Sequence, residues 1–254
     1  MQIYHNLDEW RKIRQNIPDH LSLGFVPTMG NLHVGHASLF TTSSRENDLT
    51  AASVFINRAQ FNQPDDFNKY PRTIEADLEH LEKNGVNYCL IPTEQDMYHD
   101  DFRYRINETR RSEVLEGEFR PGHFTGVLTV VMKLFNLIKP HRSYFGEKDY
   151  QQYQLIRDMA NSFFMDIEIK ACPTIREPSG LPYSSRNSRL SNEERELAEK
   201  FAFIFHQMLP LDETIDKLTE LGIAVDYIKD YNQRRFAAVK IGDIRLIDNF
   251  SLSR

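Results

Sequence analysis

Residues Leu21–His36 read LSLGFVPTMGNLHVGH, and the fold follows from how this stretch divides. LSLGFVP is an apolar run of strand length. A Pro-Thr-Met-Gly turn follows, and then a helix is expected from near Asn31. A buried strand that passes through a glycine turn into a helix is the repeating unit of a parallel sheet, because parallel neighbours need a long crossover between them.

The same alternation continues outward. LTAASVFI from Leu49 reads as a second buried strand, with Ala51, Val54 and Ile56 suited to a sheet covered on both faces. Thr73 to Asn84 reads as a helix with Ile74, Leu78 and Leu81 on one face. Thr73 is placed to cap its start, and Gly85 follows its end. VNYCLIP from Val86 is a third strand. A long helix is expected from Phe124 to Ile138, striped by Val127, Val131, Leu134 and Ile138 and closed by Pro140. HRSYFG from His141 is a short strand, Lys148 to Asn161 a helix, and MDIEIKACP from Met165 a strand. The predicted class is α/β, a Rossmann-like doubly wound parallel sheet.

The character changes after Pro173. A polar, turn-rich stretch leads into a helix expected over Glu193 to Leu209, with Ser191 and Glu194 spaced as a capping box. A second helix and three short β-like runs follow: IAVDYI, FAAVKI and IRLID. The expected division is a Rossmann-like domain over 1–176 and a smaller C-terminal α+β lid domain over 177–254, behind a hinge-like linker.

Composition narrows the function classes. The chain has 254 residues, 40% of them hydrophobic, which is enough for a real core. A formal net charge of -6 lacks the basic footprint of a general nucleic-acid binder. No run approaches the roughly 18 apolar residues of a membrane span, so a soluble cytoplasmic protein is expected. Cys89 and Cys172 lack metal or redox spacing and read as reduced thiols in or near strands. Nine histidines without a zinc spacing predict no protein-held metal.

The first candidate site is Pro27–His36, PTMGNLHVGH, at a strand-to-helix junction. Ligands of open parallel sheets bind at the carboxyl ends of strands, and helix N-termini favour anions. Gly30 and Gly35 give room for close approach. His33 and His36, three apart, share one helix face. One histidine at a helix start reads as a cap or a packing residue; two, with two glycines after a buried strand, read as a pair that can hydrogen-bond phosphate oxygens and help neutralise developing charge.

The HVGH element resembles the HIGH signature of class I nucleotidyltransferases and aminoacyl-tRNA synthetases, which act on the α-phosphate of ATP. FINRAQF from Phe55, YPRT from Tyr70, GEFRPGHFTGV from Gly117, FGEKDYQQ from Phe145 and SSRN from Ser184 follow in order, with GDIRLIDN from Gly242 as a further echo. Together these resemble the pantothenate synthetase, or pantoate–β-alanine ligase, family. The resemblance implies two steps: pantoate attacks the α-phosphorus of ATP to give a pantoyl adenylate and pyrophosphate, then β-alanine displaces AMP.

It also implies roles. Met29, Gly30, Asn31, Leu32, His33, Val34, Gly35 and His36 would form the ATP-binding turn, with His36 as the proton-donating histidine. Gly146, Glu147, Lys148 and Asp149 would meet the nucleotide at a second junction, where Lys148 stabilises phosphate charge and Asp149 orients ribose or a water on Mg2+. Ile175 would contact adenine. Tyr183, Ser184, Ser185 and Arg186 would close on the phosphates, Arg186 as a mobile cation. Gln60 and Gln152 would bind pantoate, and Gln60 would face β-alanine. His33, His36, Lys148 and Arg186 are the expected catalytic set. Mg2+ would be held mainly through the ATP phosphates, and a homodimer is implied.

Arg58-Ala59 stands where the family usually shows Pro-Met, and it is expected to touch the pocket wall. The C-terminal part seems short for the family. Asn57, Arg120 and His123 are expected near the site, whereas His5, His20, His80, His99, His141 and His206 read as structural. Two other classes fit less well. A tRNA synthetase should carry a KMSKS-like loop and a basic surface, and a silent ATP-binding module should have lost the polar site residues.

Overall fold

The parallel sheet is present with one strand more than the periodicity revealed. The computed structural model describes residues 1–253. The strands are β1 (Gln2–Tyr4), β2 (Leu23–Thr28), β3 (Leu49–Val54), β4 (Tyr88–Leu90), β5 (Arg142–Gly146) and β6 (Glu168–Cys172), in the order β1-β4-β3-β2-β5-β6. Every pairing in this sheet is parallel. The unexpected member is β1, an edge strand of three residues in which Ile3 pairs with Cys89. Three residues are too few for an alternating pattern.

The helices between strands are α1 (Leu7–Asn16), α2 (Val34–Glu46), α3 (Pro64–Asn68), α4 (Ile74–Lys83), α5 (Glu94–Met97), α6 (Glu116–Phe119), α7 (His123–Ile138) and α8 (Tyr150–Ser162). Successive strand residues point to opposite faces, and the two cores follow this rule. Phe25, Ala51 and Phe145 pack with α1, α7 and α8 on one face. Val26, Ala52 and Tyr144 pack with α2 and α4 on the other. The sheet is therefore doubly wound. The order reverses at β2, which has β3 on one side and β5 on the other, and the crevice outside that point is where such sheets bind ligands.

Local signals explain most element boundaries. The Asn6 side chain accepts from Asp8 N and Glu9 N and starts α1. Trp10 is fully buried there, and its Nε1–H donates to Leu137 O at 2.8 Å. Arg14 donates to Ile138 O and Lys139 O, placing a cation on the last carbonyls of α7. Thr73 precedes α4 but makes no capping bond; its hydroxyl donates to Asp77 Oδ2 instead, 3.2 Å away. Cys89 and Cys172 are free and buried, and burial pushes their thiols up to about 12 and about 11.

The C-terminal part contains α9 (Asn192–Phe205), α10 (Leu211–Glu220), β7 (Ala224–Tyr231), β8 (Arg234–Ile241) and β9 (Ile244–Ser251). The Ser191/Glu194 capping box forms, and α9 ends four residues before Leu209. The strands make a separate antiparallel sheet, β7-β8-β9. Phe201, Phe205, Leu218, Val239 and Leu246 form its own core under the two helices.

Glu116 ties this small unit to the large one. It is buried, and it accepts from Arg245 Nη1 and Nη2 at 2.6 and 2.9 Å and from Tyr227 OH at 2.8 Å. Burial raises the Glu116 pKa, but the bonds and charges of Arg245, Arg120 and Tyr227 outweigh it and hold the carboxyl below its ordinary value. Removing one partner of a buried pair strands the other. We expect Glu116→Ala to lower unfolding free energy by about 3 kcal/mol in urea titration. The folded pKa lies below the unfolded one, so this stabilisation is complete above about pH 4.3. It is lost as pH falls through the folded value.

Candidate active site

The turn between β2 and α2 is shaped by a residue from another helix. Asp77 of α4 is buried, and its carboxylate accepts from Asn31 N at 3.0 Å and Leu32 N at 2.8 Å. Gly30 has φ +81°, and a Cβ there would sit 2.9 Å from Asp77 Oδ2. Glycine is needed both for its backbone conformation and for this approach.

His33 is the N-cap of α2 and His36 its third residue. His33 Nδ1 accepts from Gly35 N, and His36 Nδ1 accepts from His33 N at 3.3 Å. A Cβ on Gly35 would lie 2.9 Å from the His33 ring, so Gly35 makes room for that ring. The ring centroids stand 4.1 Å apart. Burial first, then Lys148 and His80, lowers His33 to about 4. Burial and then His33 push His36 well below its ordinary value. Both rings are neutral at pH 7. Since each Nδ1 accepts, each proton sits on Nε2. Among the described residues neither Nε2–H meets a protein acceptor. The pair therefore offers two hydrogen-bond donors.

A second group is built around Gln60, in a 3-10 turn over Arg58–Gln60. Asn57 Nδ2 donates to Gln60 Oε1 at 2.9 Å, and Tyr98 OH donates to Asn57 Oδ1 at 2.7 Å. Gln60 Nε2 is 3.0 Å from Met29 Sδ. His123 is brought to about 3 by burial and by Arg120. It stands 2.8 Å from Gln60 O through Nδ1 and 3.2 Å from Arg120 through Nε2. Arg120 can only donate, so Nδ1–H donates to Gln60 O. Gly126 lets α7 touch this turn, since a Cβ there would lie 2.4 Å from Ala59 O.

A 3-10 turn over Glu147–Asp149 follows β5 and presents Lys148. The linker after β6 is docked onto the first site. Asn31 Nδ2 donates to Ser185 O, and Ser185 Oγ donates to Asn31 O. Arg186 has a carboxylate partner here. It donates to Asp66 Oδ2 at 2.8 Å, while Arg189 lies 3.3 Å from Asp66 Oδ1.

These groups surround one cavity of about 240 Å³ at the reversal point of the sheet. Its wall brings together Met29, His33, Gly35, His36, Gln60, Gly146, Lys148, Asp149, Gln152, Ile175 and Tyr183 to Arg186. Gly30, Asn31, Leu32, Val34 and Glu147 do not line it. The first three shape the turn behind the wall, and the Val34 side chain faces solvent. Val127 and Val131, expected as core alone, also form apolar wall. Arg58-Ala59 does not touch the cavity: Arg58 is exposed over the Phe67 ring, and Ala59 packs on the core. A second cavity of about 300 Å³ adjoins it between the two units and shares Lys148, Asp149, Ser184 and Arg186.

Sequence reasoning missed Asp77, Asp66 and Arg189, and gave His80 a purely structural part. The signal available for Asp66 was its place between the FINRAQF and YPRT motifs. Asp77 gave no such signal, being one of four acids in IEADLEHLEK, and its burial belongs to the packed site.

The family model for pantoate-beta-alanine ligase matches residues 2–251. The chain is 58% identical to a pantothenate synthetase of Legionella pneumophila, covering 99% of this chain and 100% of that one. It is 53% identical to one from Coxiella burnetii, covering 100% and 98%. A crystal structure of the pantoate-beta-alanine ligase of Francisella tularensis, complexed with beta-gamma ATP and beta-alanine, matches with a TM-score of 0.97 at 42% identity, covering 100% of this chain and 98% of that chain. The Thermus thermophilus pantothenate synthetase gives 0.89 at 35% identity, covering both chains fully. Against these relatives the C-terminal part is not short.

The histidine geometry makes a spectroscopic prediction. Nitrogen-15 NMR should find His33 neutral with its proton on Nε2 between about pH 5 and 8. Its charging midpoint should fall near 4. Because the folded pKa is depressed, the neutral ring adds stability above about pH 6.5. That contribution is lost as pH falls toward the folded value. A midpoint near 6.5 would refute the desolvated pair.

Proposed function

This chain belongs to the pantoate-beta-alanine ligase family, an enzyme that joins pantoate to β-alanine, and we propose that it does so with ATP through a pantoyl adenylate. The observation that carries this reading is the convergence on one cavity of two free Nε2–H donors, a lysine and two glutamines. Donors of this kind suit a phosphate that gains charge on attack, and neutral amides suit the hydroxyls and carboxylate of pantoate.

In the first step a pantoate carboxylate oxygen bonds to the α-phosphorus, and the bond from that phosphorus to the bridging oxygen of pyrophosphate breaks. His33 and His36 donate hydrogen bonds to the phosphates, and Lys148 supplies positive charge. From its neutral ring His36 donates that bond through Nε2–H. Arg186 and Ser184–Ser185 close on the leaving phosphates, and closure requires Arg186 to exchange Asp66 for phosphate. Ile175 contacts adenine. Gln60, held by Asn57, and Gln152 bind pantoate, with Gln60 also facing β-alanine. In the second step the β-alanine amine attacks the activated carbonyl carbon, AMP leaves with the acyl oxygen, and the amine loses a proton. Holding both reactants in one enclosed site supplies much of the acceleration.

Among the described residues no three His, Cys, Asp or Glu side chains gather to hold a metal. Magnesium is commonly held by substrate phosphates and water. In this reading ATP would bring Mg2+ with it, and Asp149, the only carboxylate on the cavity wall among the described residues, would hold a water on that ion or the ribose. Residues 1–176 carry the nucleotide and pantoate sites, and 177–254 act as the lid. The family resemblance further leads us to propose a cytoplasmic homodimer. Among the described residues no helix is long and apolar enough to cross a membrane.

Mixing the protein with Mg-ATP and pantoate alone should release pyrophosphate, and AMP should appear only when β-alanine is added. AMP and pyrophosphate appearing together, and only with all three substrates, would overturn the two-step order. Replacing His36 with Ala should slow single-turnover adenylation by about 10²–10³-fold. ATP affinity, measured by calorimetry, should change far less.

A further inference from the structure

The GDIRLIDN segment ends on two buried polar residues of β9, Asp248 and Asn249, and neither lines the 240 Å³ cavity. Each nevertheless holds a rim of it. Asn249 Nδ2 donates to Glu147 O at 3.0 Å and to Lys148 O at 2.8 Å. Asn249 Oδ1 accepts from Arg234, whose guanidinium lies 3.8 Å from the centroid of the Tyr150 ring. Two carbonyls that need donors and one arginine that needs an acceptor allow a single orientation of the amide. Asp248 accepts from Arg176 Nη1 and Nη2, both at 2.8 Å, and pairs with His206 at 2.9 Å. Asn249 N donates to Asp248 Oδ1 at 2.7 Å, which joins the two holds into one network.

The geometry of the Asn249 contacts matters. The carbonyls of Glu147 and Lys148 belong to the two peptide planes that flank the Lys148 α-carbon. Fixing both planes to one amide nitrogen fixes the backbone torsions of Lys148, and with them the direction in which its side chain leaves the chain. The turn has no side-chain cap of its own. We propose that Asn249 is a positioning residue for Lys148, through which the small domain sets where the lysine ammonium stands during adenylation. Asp248 does the same for the opposite rim through Arg176, the residue after Ile175.

This inference rests on Lys148 acting in the first step, and the test separates the two ideas. In the full chain, Asn249→Ala should reduce single-turnover pyrophosphate release about 10- to 100-fold, the scale of a side chain misplaced by about 1 Å. Transfer from preformed pantoyl adenylate to β-alanine should stay within about twofold. In a Lys148→Ala background the same change should have almost no further effect, because coupled residues are not additive. Asn249→Ser, which keeps one donor, should retain more adenylation than Ala, and it takes the place of the Ala variant should that one fail to fold. Equal losses in both half-reactions, or losses that multiply in the double variant, would show that Asn249 only holds the domains together. A Lys148→Ala enzyme that adenylates normally would instead remove the role of Lys148, and this inference with it.

Discussion

A strand that ends in a tight turn and restarts as a helix leaves backbone N–H groups without partners, and here Asp77 supplies the partner. Its two oxygens take the amides of Asn31 and Leu32. An unpaired buried amide costs about 1–3 kcal/mol, so the carboxylate helps decide that the turn exists. The placement of His33 at the N-cap follows, then the packing of the His36 ring against it and the docking of Ser185 on Asn31. The site is thus arranged from behind, by a residue that never reaches the cavity.

How much of this could be read in advance depended on distance along the chain. The strands β2, β3, β5 and β6 and the helices α4, α7 and α8 were legible because their apolar residues repeat with the period of the element. The HVGH pair was legible because both histidines lie within one turn. Asp77 was not, because it acts across 45 and 46 residues. The anchor between Glu116 and Arg245 spans 129 and has no local signature. The neutrality of the histidines was hidden for a related reason: desolvation belongs to the packed site, not to a motif. Arg58-Ala59 shows the converse. The change of residue type was visible, but the direction of the side chain was not, and Arg58 turns away from the cavity.

The two units have separate cores yet share polar contacts at the cleft. Glu116 holds Arg245 and Tyr227, and Asn249 holds the turn that carries Lys148. Each unit folds on its own core, and their relation is fixed by a shared apolar cluster around Leu115, Tyr227, Phe236 and Ala238 together with charged and amide hydrogen bonds. Such bonds depend strongly on angle and distance, which suits a cleft whose opposite rims come from different sheets.

The pairing of Asp66 with Arg186 and Arg189 changes the thermodynamic character of that cleft. An arginine that already has a carboxylate is not a vacant receptor. An anion arriving there performs an exchange of ligands, and its net gain is the difference between two ion pairs rather than the worth of one. The cleft is therefore held at low field until a better anion than Asp66 enters. With the carboxylate 2.8 Å from Arg186, the balance of that exchange, and not the bare charge of the arginine, sets how strongly the cleft takes an anion.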